Sequence, residues 1–153
     1  MIRLLSAFVV LLLASAPCLA QSLVGTYKLV GIERELDGKV QPQPAKPRHG
    51  YIVITPRIVA MFYTDGDRKY VASEKEKAAL WDTLTAYSGA YRLDGNKIVV
   101  SVDTSWNEFY VGTQLIRDWK VQGNRLTFSS APRPFGRDPS KTVVQRQVWE
   151  KIE

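Results

Sequence analysis

The chain has 153 residues, 45% of them apolar and 24% charged, with a formal net charge of +6. That length accommodates one domain with a real core, and its basic residues are scattered from Lys28 to Lys151, which argues against a nucleic-acid-binding tract and for simple solubility. Cys18 is the one cysteine, so there is no disulfide framework and no thiolate cluster for a metal.

Residues 1–20 read as a secretory signal peptide. Arg3 supplies a positive start, Leu4 to Ala16 form an apolar run broken only by Ser6 and Ser15, and Cys18 and Ala20 are the small residues before a cut between Ala20 and Gln21. Residues 21–153 are then the mature domain, periplasmic or secreted, with no integral membrane span, no cysteine and a net charge of +5 once Arg3 is lost. Two alternatives stay open. One is a retained anchor helix, for which the apolar run is short. The other is lipidation at Cys18, where Pro17 stands in place of the small residue that the pattern needs.

Alternation predicts a first strand over 23–35, with Tyr27 and Leu29 on one face and Lys28 on the other. Asp37-Gly38 turns it, and the proline-rich stretch 41–50 reads as a loop. Strands follow at 51–55 and 58–63 around Pro56-Arg57. The spacing predicts a helix over 73–85, opened by a capping box of Ser73 and Glu76. Its arc of Ala78, Leu80, Trp81 and Leu84 is expected to lie on a barrel end or wall, burying Trp81. Further strands are predicted at 87–93, 97–103, 109–121, 125–130 and 142–152, with tight turns at Asp94-Gly95 and Gly123-Asn124 and a longer loop over 131–141. The sum is an all-β chain of eight antiparallel strands, with one short helix between the third and fourth. An up-and-down barrel closes such a sheet and removes its edges; an open sandwich is the competing architecture.

Segments spread over almost the whole mature chain resemble the lipocalin-like domain family of calycin-type barrels, in an exported bacterial member. They are LVGTYKLV at 23–30, GYIVITP at 50–56, AYSGAY at 86–91, GTQLIR at 112–117, GNRLT at 123–127 and VWEK at 148–151. The chain departs from that pattern at four places. Tyr27 stands where the family usually has Trp, Val99 or Val100 where a His is often found, Leu115 where a polar residue is common, and Lys151 where Arg is usual. The resemblance implies a barrel with a possible cavity, and not a substrate. Tyr27 and Trp149 would then plug one end, as the matching residues do in related barrels.

Leu115, Arg117, Trp119 and Val121 alternate onto one strand face, opposite Gln114, Asp118 and Lys120. Arg117 is therefore expected to point into the barrel, where a guanidinium needs a partner. It either binds a ligand carboxylate with its planar fork or is neutralised internally, by Asp103 or a tyrosine hydroxyl. Tyr87, Tyr91, Trp106 and Trp119 are candidates for the cavity wall or for its filling. Gly89, between Tyr87 and Tyr91 on their face, is expected to leave room beside the rings. The expected ligand site is thus Arg117, Tyr91, Trp119, Tyr87, Asp103 and Trp106. His49 is alone in its loop, which argues against a metal or a hydrolase triad. No dinucleotide or phosphate-loop fingerprint is present, so no cofactor is expected. Three functions remain: an exported module binding a small hydrophobic or amphipathic molecule that carries a carboxylate, a cofactor-free isomerase or cyclase using Tyr, Asp103 or Arg117, and a filled barrel acting through its surface. The balance leans away from an enzyme.

Overall fold

The structure is a computed structural model, and it describes residues 23–41, 48–136 and 138–153. The expected signal segment 1–20 and most of the proline-rich loop lie outside the described residues.

Among the described residues, ten strands form a single antiparallel sheet. β1 (Gly25–Leu36) pairs with β3 (Arg48–Ile54), and the sheet then runs through β4 (Ile58–Asp65), β5 (Leu84–Asp94), β6 (Lys97–Ser105), β7 (Gln114–Gln122), β8 (Arg125–Ser129) and β10 (Asp138–Lys151). β10 pairs back onto β1, which closes an eight-stranded barrel. Two short strands stand outside the ring: β2 (Lys39–Val40) on β1 and β9 (Arg133–Phe135) on β10. The expected architecture is therefore present, with two additions. The segment expected as one strand from 109 begins instead with a 3₁₀ turn, Glu108–Tyr110. The loop expected over 131–141 contributes β9 and the start of β10.

Inward residues alternate as the pleat requires. Tyr27, Ile52, Ile54, Met61, Val100, Leu126 and Trp149 form the buried core. One end is shut. Tyr27 is fully buried there, and its hydroxyl donates to the Leu23 carbonyl at 2.9 Å. Lys151 Nζ donates to the Val24 carbonyl at 3.0 Å and stands 6.0 Å from the Tyr27 ring centroid. Tyr91 joins this closed end, its hydroxyl donating to the Thr55 carbonyl at 3.0 Å.

Two bulges set which side chains enter the barrel. The β1–β10 register slips between Leu29 and Gly31. The inward phase of β1 thereby passes from Tyr27 and Leu29 to Ile32, Arg34 and Leu36, a bulge re-aiming a side chain. The second slip, between Ser88 and Gly89, leaves Asp103 out of the β5–β6 ladder. Gly89 is required by this second bulge and not by space for a ligand. A Cβ there would stand 2.0 Å from the Ser101 carbonyl oxygen, inside any allowed contact.

The helix α1 (Glu74–Trp81) keeps its predicted cap, with Glu76 N–H donating to Ser73 Oγ at 3.3 Å. It is shorter than expected and buries none of its residues, and Trp81 remains 54% exposed. The reason lies in the next strand. Leu84 pairs with Thr64 in the β4–β5 ladder, so the residue that would have completed the apolar arc belongs to the sheet. Among the described residues, no helix is long and apolar enough to cross a membrane.

Candidate functional site

The strands that start or stop at the open end of the barrel place a polar rim over an apolar floor. A cavity of about 510 Å³ there is lined by Ile32, Glu33, Arg34, Leu36, Gln41, Arg48 and Gln145. Arg34 and Gln145 are register partners on β1 and β10, and Ile32 pairs with Gln147 one step deeper. Arg48 enters from the start of β3, where its Nε donates to Asp65 Oδ1 at 3.1 Å and its guanidinium carbon stands 6.0 Å from the Tyr63 ring centroid. Outside the wall, Arg146 is paired with Glu35 and faces Glu33 in register. Among the described residues no ion pair engages Arg34, whose guanidinium carbon lies 5.8 Å from the Phe135 ring centroid. The lining therefore holds Arg48 paired with Asp65, Arg34 outside any ion pair among the described residues, and the carboxylate of Glu33.

Beneath the rim the interior stays polar. Gln147 is 8% exposed, and its Nε2 donates to the Tyr63 hydroxyl at a long 3.5 Å. Tyr63 meets Trp149 edge-on, with ring centroids 6.5 Å apart. Gln147 Oε1, Trp149 Nε1 and Trp119 Nε1 are buried without a protein partner among the described residues. Burial pushes the Tyr87 hydroxyl up to about 12, with Arg117 opposing the rise and Tyr63 adding to it. Polar groups from β4, β5, β7 and β10 thus face the barrel interior.

The residues expected from sequence divide among three places. Arg117 is on the inward face with Leu115 and Trp119, its partner in the ladder being the core residue Ile98. It couples to Tyr87, and its Nη1 donates to the Ile116 carbonyl at 2.9 Å. Trp119 packs on the core beside it. Trp106 also packs on the core and stacks on Tyr110, centroids 5.3 Å apart. Tyr91 lies apart from this group, at the closed end. Asp103 is exposed at the β6 bulge, where it accepts from Ser88 Oγ at 3.0 Å, and it does not face Arg117. His49 sits in β3 and not in a loop, exposed and paired with Thr64. Among the described residues, no cluster of His, Cys, Asp and Glu is placed to hold a metal ion.

Sequence reasoning missed Arg34, Arg48, Tyr63 and the glutamines. Gly31 was the available signal for Arg34, because a glycine inside a strand marks a bulge and a change of phase. Gln145 and Gln147 follow from simple alternation back from Trp149. Arg48 was hidden by the prolines before it.

A second concavity of about 400 Å³ lies where Trp81 and Leu84 meet Phe62 and Ala86 on the outer wall, and the expected site residues Tyr87 and Trp106 also line it.

No curated protein and no solved structure matches the chain. The family model described as a lipocalin-like domain matches residues 24–152, which spans every strand of the barrel. The chain belongs to the lipocalin-like domain family.

Proposed function

We propose that this barrel, exported through the segment 1–20, binds a small amphipathic acid at its open end. The observation that carries the proposal is the rim cavity of about 510 Å³, with Arg34 and Arg48 above a floor of Ile32 and Leu36. That volume is ordinary for a small-molecule site, and the mix of apolar floor and few polar groups is what such sites present. A guanidinium suits a carboxylate because its planar fork matches the two oxygens. Arg34 supplies a guanidinium outside any ion pair among the described residues, Arg48 a second contact held in place by Asp65, and Ile32 and Leu36 take the apolar body. Arg117 and Tyr87 stand further in, as the inner polar wall.

Burying an apolar body contributes about 25 cal/mol per Å² before association costs, which permits micromolar binding for a medium-chain or aromatic acid. Tryptophan fluorescence, with Trp149 and Trp119 near the inner wall, is the readout. Octanoate should bind the wild type and bind Arg34→Met/Arg48→Met at least tenfold more weakly. Equal affinity for both proteins would refute the anchoring role of the rim.

A second reading is favoured by one observation. Phe62, Tyr51, Ile58 and Trp81 are all exposed on or beside the outer wall of β3 to β5, which is what a barrel acting through its surface would present.

A further inference from the structure

The polar interior narrows the class of acid, resting on the rim reading above. From the orphaned atoms below the rim we infer that the ligand carries a hydroxyl at the end opposite its carboxylate, as a para-hydroxyaryl acid does.

Three facts about the residues below the rim lead there. First, Gln147 is nine-tenths buried and one of its two polar atoms has no protein partner among the described residues. This holds whichever way the amide is turned, since Tyr63 engages only one side of it. Second, Trp149 is wholly buried, on the same face two residues beyond Gln147, and its indole N–H is also unpartnered. Both residues contact Tyr63, one through its hydroxyl and one through its ring edge. Third, Gln147 follows the cavity lining by one step of the ladder. Arg34 pairs with Gln145 and Ile32 with Gln147, so Gln147 is a single two-residue step, about 7 Å, below the mouth. The rim and the chamber are joined physically as well, because Arg48 stands over the ring of Tyr63.

A buried polar atom left unpaired is costly, and a site built with such atoms discriminates strongly for a ligand that completes them. Gln147 Oε1 needs a donor and the indole N–H of Trp149 needs an acceptor. A hydroxyl is both, whereas a methyl or a second carboxylate is not. A benzene ring between a carboxylate and a para hydroxyl spans a step of this size with no rotatable bond in the ring, and its flat faces suit the Ile32 floor. Trp119, whose N–H is orphaned across the barrel, is two strands away from Gln147 through Phe128 and can serve a larger hydroxyaryl acid.

Calorimetric titration of the wild type with benzoate, 4-methylbenzoate and 4-hydroxybenzoate tests this. The hydroxylated acid should bind at least tenfold more tightly than the other two. In Gln147→Leu that advantage should collapse to less than threefold. If the three acids bind the wild type equally, the inference is overturned while the rim reading stands; this comparison needs no variant, so it decides the matter even if Gln147→Leu fails to fold. If none of the acids binds, the rim reading falls and this inference falls with it.

Discussion

The ring of Tyr63 carries the guanidinium of Arg48 at 6.0 Å, and its hydroxyl accepts from Gln147 at 3.5 Å. One residue of β4 thus links the charged rim to the polar chamber. Asp65, two residues on, ties Arg48 down at 3.1 Å. Removing that carboxylate should free the cation. Asp65→Asn is expected to raise affinity for octanoate three- to tenfold while costing about 1 kcal/mol of stability, the scale of a partly exposed pair. Fluorescence titration and urea unfolding of the same preparation would check both halves; an affinity lower than wild type would show that Asp65 positions Arg48 more than it neutralises it.

Two tryptophans separate the core from the surface. Trp149 is 0% exposed in the core, so Trp149→Ala should cost roughly 3–5 kcal/mol. Trp81 is 54% exposed on a helix that buries nothing, so Trp81→Ala should cost less than about 1 kcal/mol. Urea unfolding midpoints compare them directly. Comparable losses would mean that α1 is packed on the barrel after all.

Gly89→Ala should be among the most harmful small changes, by about 1–3 kcal/mol, because the new methyl would meet the Ser101 carbonyl at 2.0 Å across the β5–β6 bulge. Gly136→Ala is the control, since a Cβ there has nothing within 4 Å. Equal melting temperatures for the two variants would remove the close-approach explanation of Gly89.

Tyr87 gives the barrel an alkaline limit. Its hydroxyl is pushed from 10.0 up to about 12 by burial, so the folded state holds this proton more tightly than the unfolded one. The contribution is fully present below pH 10 and is lost as pH rises through about 12, roughly 2–3 kcal/mol over that window. Tyr27 and Tyr91 are raised by burial as well and act in the same direction. Thermal melts should show the wild type losing stability over this range and Tyr87→Phe losing less. A Tyr87→Phe protein with an unchanged slope would assign the alkaline loss elsewhere.

Much of the fold was legible because most of its strands obey strict alternation and its turns carry Asp-Gly or Gly-Asn. The inward face of β7, Arg117 included, followed from that pattern alone. Three features did not. The bulge at Gly31 shifts the inward phase halfway along β1, so the face set by Tyr27 and Leu29 did not point to Arg34; the bulge at Asp103 turns that carboxylate away from Arg117. The helix pattern counted Leu84, which the sheet had already claimed through Thr64. Periodicity reports a residue's local face, and bulges and ladder pairing are settled by the neighbouring strand.

Export is tested by the intact mass of the protein from its native host. The account expects a chain that begins at Gln21; a chain still carrying Met1 to Ala20, or one lipidated at Cys18, would contradict it.

The central claim is that the open end of the barrel is the binding site. Backbone amide shifts recorded by NMR during titration with octanoate test it most directly. The account predicts a cluster of shifted amides at Ile32 to Leu36, Arg48 to Gly50 and Gln145 to Gln147, lost in Arg34→Met/Arg48→Met. Shifts confined to Ala60, Phe62, Trp81 and Ala86 on the outer wall, or none at saturating octanoate, would contradict it.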